Sequence, residues 1–599
     1  MDFPVHESDV LQRQATHLVG TLGHVAEGKS TLVRALTGVK TQRHQKEQER
    51  NITIHLGYAN CKVYQDENGH LTAQKTSDPA PLGQTLVAHF SFVDCPGHEA
   101  FLATMLGGAS IMDTACLIIA GTNEVIPQPQ TLEHLIAAHL MGMKRYVIVQ
   151  NKVDLLNEEE AKDNYKKIKG FLEGTHAESA PLFPISAQLN WNVDHVLNEL
   201  MCMEPPQRNL DKPFQLTCVR SFDVNKPQRW SPTESKLTGA VIGGTLQQGV
   251  LAVGDWIEIR PGRLTLNENK EIVAEPLFTQ VTEIRCEEQS LPYAVPGSLL
   301  AIQTSLDPSF GSANGMVGQV VGTPTKMPPI VGEITVKFKT LKRDIYQFGK
   351  ACVGEKVVVC SNVMTVEGTI SELVDKKTRK ITLERPLCLE KGSMVSILRF
   401  HKEAGKKLLE GCGEVLEYDV WPDTIYTELP DVSQQLSRQP RWIPLEKQSF
   451  SKQNLSYTDM LADLMEEKEE AIGHLESKKK LRLKEPSLER IPKHIVMKNW
   501  KDIWSALDNP SLTQIPIQQH LKEFIESELS TTSSVNGSGQ LILAGNWKLN
   551  GLLSILRKYV TTYKTCKQCR GTDTGLIKSG KVTKVKCGRC LAESFVDTT

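Results

Sequence analysis

Residues 23–30 read Gly23-His24-Val25-Ala26-Glu27-Gly28-Lys29-Ser30, which fits GxxxxGK[ST]. Two glycines let such a loop curl until successive backbone N–H groups and the start of a helix face phosphate oxygens, while the lysine reaches the β and γ phosphates. Gly23, Val25, Ala26, Gly28, Lys29 and Ser30 are therefore the expected phosphate-binding residues, and the Ser30 hydroxyl is an expected Mg²⁺ ligand. A glycine turn fitting the pattern by chance would have no downstream partners. Here there are several.

Asp94-Cys-Pro-Gly97-His98 supplies a carboxylate able to hold Mg²⁺ through water and, at Gly97, an amide able to reach a γ phosphate. Asn151-Lys152-Val-Asp154 is base-specific: the Asp154 carboxylate can accept two N–H bonds from guanine N1 and N2. Adenine offers neither donor there, and a desolvated carboxylate left unpaired is a mismatch worth orders of magnitude in selectivity. Asn151 is expected to brace the loops and the Lys152 stem to cover the base. Ser186-Ala187-Gln188 is expected to bring a backbone amide to guanine O6. Thr53 follows the polar run Thr41 to Arg50 and can complete the Mg²⁺ shell only with the γ phosphate present, which makes the segment a switch. A plain edge strand is the alternative for that stretch. Together the motifs predict a site for GTP and GDP with Mg²⁺.

These motifs follow the short apolar runs 17–22, 89–94, 115–120, 146–150 and 182–185, which alternate with helical patterns as in a mostly parallel α/β sheet whose ligands bind at the strand ends. Asp66 to Gly83, polar with Gly and Pro, reads as a loop. From Pro205 onward short alternating runs with glycine turns predict two β-barrels, the second from Glu333 to Gly413. Pro430 to Asn454 reads as a linker. Tyr457, Met460, Leu461, Leu464 and Met465 then form one face of an amphipathic helix with Ser456 and Asp459 spaced as a capping box, and a docking helix is expected. A small α/β domain follows. Cys566, Cys569, Cys587 and Cys590 stand as CxxC, seventeen residues, CxxC, the spacing of a structural zinc ribbon. The expected fold is multidomain α/β plus β, divided as a GTPase domain 1–207, barrels 208–327 and 328–430, a linker with its docking helix (456–466) over 431–492, an α/β domain 493–563 and a ribbon 564–599.

With 23% charged and 40% hydrophobic residues the composition is that of a soluble, multidomain chain. There is no basic start followed by an apolar run and no stretch of membrane-spanning length, so no membrane and a cytoplasmic location are expected. The other ten cysteines are scattered, as reduced thiols are. A net charge of −1 hides a gradient: 557–590 carries ten Lys/Arg against Asp573 alone, a patch suited to a polyanion.

The nucleotide motifs resemble those of the translational GTPases. Arg50 to Asn60 together with Asp94-Cys-Pro-Gly97-His98 is similar to the gamma subunit of eukaryotic and archaeal translation initiation factor two, except that Glu27 stands where that family usually has histidine. The resemblance implies that His98 positions the attacking water and Tyr58 helps line the pocket for the charged tRNA 3′ end. It also implies that the first barrel and the nucleotide domain clamp the tRNA, while the second carries the docking surface for the factor's alpha subunit. The docking helix, α/β domain and ribbon resemble the core of the factor's beta subunit. A gamma–beta fusion that delivers methionyl initiator tRNA to the small ribosomal subunit and hydrolyses GTP is thus implied, with GTPase-activating and nucleotide-exchange factors as further partners. No cis arginine finger is evident, and such a group is worth about 10³ to 10⁵ in rate. An elongation-type carrier of other aminoacyl-tRNAs and a non-hydrolysing decoy of initiation partners remain the alternatives.

Overall fold

The computed structural model describes residues 2–42, 47, 53–98, 101–109, 111–203, 209–225, 238–340, 348–375, 377–401, 405–445, 455–473, 483–566, 571–579, 582–588 and 593–595. In the nucleotide domain the strands are β1 (Asp2–His6), β2 (His17–Leu22), β3 (Gly57–Gln65), β4 (Leu71–Lys75), β5 (Thr85–Asp94), β6 (Thr114–Ala120), β7 (Tyr146–Asn151) and β8 (Leu182–Pro184). Helices α1 (Glu7–Arg13), α2 (Lys29–Thr37), α3 (Leu102–Ala109), α4 (Pro129–Leu140), α5 (Glu158–Leu172) and α6 (Val193–Cys202) lie between them. Seven of these strands form one sheet in the order β4-β3-β5-β2-β6-β7-β8, parallel from β5 to β8. The apolar runs of β2, β6 and β7 are buried throughout, as a sheet covered on both faces requires. The expected loop at 66–83 holds a strand instead: β4 pairs antiparallel with β3, Cys61 opposite Lys75. Its mixed polar surface, half-buried at best, carries no alternation to read.

Two six-stranded rings follow. The first runs Trp256–Leu266, Val320–Gly322, Gln215–Phe222, Val241–Gln248, Leu299–Thr304, Ile272–Cys286 and back to its start. The second joins Ile330–Thr340, Thr378–Cys388, Met364–Leu373, Lys356–Ser361, Met394–His401 and Lys406–Val420, closing on Ile330–Thr340. Closure leaves these strands without edges. The core of the nucleotide domain continues into the second barrel, Leu106 and Met105 sharing one buried cluster with Val358, Leu398 and Leu409.

The stretch read as a linker from Pro430 is in part a strap. Strand Gln439–Ile443 pairs in parallel with β1, Phe3 opposite Pro440. Arg438 forms an ion pair with buried Asp255 of the first barrel at 2.6 Å. Val5, Val10, Leu210 and Val295 make a small core beneath the strap. A sequence rich in polar residues and proline hid this strand because its apolar partners lie in other parts of the chain.

The docking helix spans Tyr457–Gly473, longer than expected. The α/β domain starts before residue 493, since Leu488–Ile491 begins a four-stranded sheet with His494–Met497, Leu541–Ala544 and Ser533–Val535. Helices Trp500–Leu507, Ile517–Leu529 and Leu549–Tyr559 pack on it around Trp500, Leu521, Leu543 and Tyr559. Thr574–Ser579, Val582–Cys587 and Glu593–Phe595 form a separate three-stranded antiparallel sheet.

Candidate nucleotide site

β2 ends at Leu22 and α2 starts at Lys29, so residues 23–28 form the turn between a buried strand and a helix N-terminus. Gly28 has φ 100°, and a Cβ there would fall 2.1 Å from Asn151 Nδ2. Only glycine fits both demands. Ala26 is also left-handed, at φ 63°. Lys29 is buried, and its ammonium donates to the carbonyls of Gly23 (2.9 Å) and His24 (2.6 Å). Gly97 lies against it: a Cβ at Gly97 would sit 2.3 Å from Lys29 Nζ. The end of β5 thus meets the phosphate loop. His98 is exposed, its ring 5.9 Å from that of Phe101.

Glu27 is the centre of the loop's packing. Its carboxylate is almost fully buried and accepts from the His24 N–H (2.6 Å), Asn123 Nδ2 (3.0 Å) and the Thr131 hydroxyl (3.2 Å). Burial raises its pKa, opposed by Lys29 and these donors. Beside it the Gly23 N–H donates to Nδ1 of buried His134 at 3.1 Å. Thr131 and His134 belong to α4 and Asn123 to the turn after β6. None was expected from sequence, since each lies about a hundred positions from the motif it holds and belongs to no pattern of its own.

Asn151 joins the two ends of the site: its Nδ2 donates to the Glu27 carbonyl at 2.8 Å and its Oδ1 accepts from the Ala187 N–H at 3.0 Å. It thereby engages one backbone amide of the 186–188 turn, the turn expected to bring an amide to guanine O6. Lys152 is left-handed at φ 64° and precedes a short turn, Val153–Leu155, of which Asp154 is the middle residue. Burial raises the Asp154 pKa, while the Ser186 hydroxyl and the lysines Lys468 and Lys152 pull it down. Ser186 is buried and its backbone is tied to Trp191; Gln188 lies on the same turn.

The expected Mg²⁺ ligands converge. Ser30 Oγ and Thr53 Oγ1 are 3.1 Å apart, and Asp94 accepts from Thr21 (3.2 Å) and Thr41 (2.6 Å). A buried carboxylate beside two hydroxyls is a hard-oxygen set of the kind Mg²⁺ takes along with phosphate and water. Burial raises the Asp94 pKa, opposed first by hydrogen bonds from Ser30 and Thr41. Glu47 Oε1 accepts the N–H groups of Ile54 and His55, both at 3.0 Å, and so holds the backbone around Thr53.

Tyr58 opens onto a cavity of about 340 Å³ between the nucleotide domain and the first barrel, whose walls include Thr41, Glu47, Leu56, Arg220 and Leu300. The Arg220 guanidinium lies 5.4 Å from the Tyr58 ring centroid and donates to the Leu56 carbonyl at 2.6 Å. The Tyr58 hydroxyl is buried with no hydrogen-bond partner among the described residues.

The docking helix lies on the base side of the site. Met460, Leu461 and Leu464 are buried, the latter two against Val153, Leu156 and Ala161, with Met465 partly buried beside them. Tyr457 stacks on Tyr165 with centroids 3.9 Å apart. Of the four clustered cysteines, Cys566 and Cys587 are buried beside the C-terminal sheet, and Cys569 and Cys590 lie outside the described residues. Among the described residues no group of three or more His, Cys, Asp or Glu comes together as a metal site. No helix there is long and apolar enough to cross a membrane.

Residues 14–206 match the model of the elongation factor Tu GTP binding domain, and 473–593 match a domain found in initiation factors 2B and 5. Eukaryotic translation initiation factor 2 subunit 3 of Drosophila melanogaster is 41% identical over 417 residues, covering 65% of this chain and 87% of its own. The subunit gamma of Schizosaccharomyces pombe is 40% identical over 421 residues, 66% of this chain and 93% of its own. In fold the chain is similar to translation elongation factor SelB of Methanococcus maripaludis, solved with a GTP analogue: TM-score 0.51 at 17% identity, over 92% of this chain and 97% of that one. A GTPase domain carried through two barrels at this identity leaves one reading: the chain belongs to the gamma-subunit family of eukaryotic translation initiation factor 2, GTP-hydrolysing initiation factors, and bears at its C-terminal end the domain found in initiation factors 2B and 5.

Proposed function

We propose that the chain is a GTP-switched carrier that binds methionyl initiator tRNA, brings it to the small ribosomal subunit and leaves after hydrolysis. The cavity beside Tyr58 supports this most. Thr41, which donates to Asp94, and Glu47, which holds the backbone around Thr53, are both part of its wall. The stretch that answers the γ phosphate is therefore also the stretch that shapes the cavity. A lining that joins apolar side chains, Leu56 and Leu300 among them, to the Arg220 guanidinium suits an aminoacyl-adenosine end. A switch couples to a ligand only through differential affinity for its two states, so the nucleotide dependence of tRNA binding measures the coupling.

In this reading Gly23, Val25, Ala26, Gly28 and Lys29 cradle the phosphates, and the Gly97 amide reports the γ phosphate. Ser30, Thr53 and Asp94 would hold Mg²⁺, which supplies charge neutralisation between the β and γ phosphates. Asp154, Lys152 and the 186–188 turn read guanine. His98 orients the attacking water, and a partner supplies the arginine for fast turnover. Cys566, Cys569, Cys587 and Cys590 hold one structural Zn²⁺, and the basic C-terminal segment meets tRNA or ribosomal phosphate. The second barrel is proposed to carry the alpha-subunit surface.

Filter binding with GDP or a non-hydrolysable GTP analogue, against charged and uncharged initiator tRNA and one charged elongator, tests the proposal. GTP-dependent, methionyl-selective binding is expected. Equal affinity across nucleotides would remove the switch, and equal affinity across charged tRNAs would favour an elongation-type carrier.

A further inference from the structure

The docking helix touches every strand end that carries a base-reading residue. At β7, the Tyr457 hydroxyl donates to Gln150 Oε1 at 2.7 Å and to the Ala161 carbonyl at 3.1 Å, and Gln150 precedes Asn151. At the turn holding Asp154, Lys468 Nζ donates to the Leu156 carbonyl, while Leu461 and Leu464 close over Val153 and Leu156. At β8, Asn192 Nδ2 donates both to the Pro184 carbonyl (3.0 Å) and to the Met460 carbonyl (2.7 Å), two residues before Ser186. Four hydrogen bonds and an apolar seam thus fall on or beside the loops proposed to grip the base, and the helix contributes none of these groups to the base itself.

We propose that the docked helix is a brace of the guanine loops, so that helix docking and guanine-nucleotide binding strengthen each other, with Lys468 the positioning residue. The inference rests on the reading of Asp154 as the guanine contact. Docking fixes the turn 153–156 from its C-terminal side, so a bound base loses less of its binding energy to ordering that turn. The Lys468 charge also lies within electrostatic reach of the half-buried Asp154 carboxylate and opposes the pull of burial toward its neutral form, which could not accept both guanine N–H bonds. By reciprocity, bound nucleotide must tighten the helix by the same factor.

The experiment uses the full chain and a fluorescent GDP. Leu461→Asp with Leu464→Asp should detach the helix, seen as loss of hydrogen-exchange protection over 457–466, and raise the GDP dissociation rate about five-fold or more. Lys468→Met should raise it about three-fold with protection of 457–466 retained in the nucleotide-bound form, and Tyr457→Phe should act in the same direction. Saturating GDP should slow exchange over 457–466 in the wild type. Unchanged GDP dissociation from a chain whose helix has demonstrably detached would overturn the brace. Failure of the wild type to prefer guanine over adenine nucleotides would instead overturn the reading of Asp154, a separate outcome seen before any variant is made.

Discussion

The phosphate end and the base end of the nucleotide site are supported in different ways. At the phosphate end, Glu27, His134, Thr131 and Asn123 are buried or half-buried polar groups of the same domain, linked by hydrogen bonds of 2.6 to 3.2 Å. At the base end, the turn around Asp154 leans on a helix more than three hundred positions further along the chain. The first support exists whenever the domain is folded. The second exists only while the appended module is in place. On the brace proposed above, a fused partner influences nucleotide exchange at the base end of the site, where its helix packs on Val153 and Leu156.

The largest expected effect comes from breaking both ends at once. Asn151→Ala removes the link from Glu27 to Ala187 and leaves two buried groups unsatisfied, about 2 to 6 kcal/mol in all. Urea denaturation should show the loss in stability, and GTP titration a loss of affinity. If the two ends were independent, the affinity would fall only as much as loss of the base contacts alone.

Acid should separate the two ends. Burial holds the His134 ring neutral, with its pKa lowered to about 3, and the Gly23 N–H needs Nδ1 as an acceptor. The unfolded chain binds a proton near pH 6.5, so it carries more protons than the folded chain below that pH. The stability linked to this ring is thus complete above about pH 6.5 and is lost progressively as pH falls toward the folded value of about 3. His89, lowered to about 4 by burial, acts in the same direction away from the site. Glu27 acts in the opposite sense: its raised pKa makes the buried carboxylate costlier as pH rises from its unfolded value through the folded one. His134→Gln should flatten the acid limb of a urea-midpoint profile, and unchanged slope would place the proton uptake elsewhere.

The smallest effect should come from the cap of the docking helix. Ser456 and Asp459 exchange hydrogen bonds, the Asp459 N–H donating to Ser456 Oγ (3.2 Å) and the Ser456 N–H to Asp459 Oδ2 (3.0 Å). Ser456→Ala should cost about 1 kcal/mol of helix stability. Faster hydrogen exchange at 457–462 with the phosphate loop unaffected would confirm that the base-side support can be tuned alone.

The residues proposed to bind nucleotide were legible because phosphate and guanine chemistry demand particular side chains at short, fixed spacings: Gly28, Lys29 and Ser30 follow the end of β2, Asp94 and Asn151 end β5 and β7, and Asp154 lies in the turn after β7. The docking face at Tyr457, Met460, Leu461 and Leu464 was legible from its helical period. What holds these groups was not. His134 and Thr131 lie on a helix whose pattern only says that one face is buried, and their partners are set by tertiary packing. β4 and the strand Gln439–Ile443 lack alternation because each has little of its surface buried, so pairing alone defines them. Lys468 carries no pattern of its own in the sequence, because its meaning depends on the carbonyl it meets.

The pairing of β1 with Gln439–Ile443 also has a cost measured in time. Leu445 N–H reaches Glu7 across 438 positions, so the strap closes between segments made far apart during synthesis. At roughly 5 to 20 residues per second, β1 waits about 20 to 90 seconds for its partner after leaving the ribosome. Through that interval it is an unpaired strand: Val10, Leu210 and Val295 can cover Val5, but Trp442 and the backbone partners of the strap are still to come. The nascent chain thus carries an open edge while the GTPase sheet and both barrels are being made, and a chaperone that shields the first dozen residues would protect it longest.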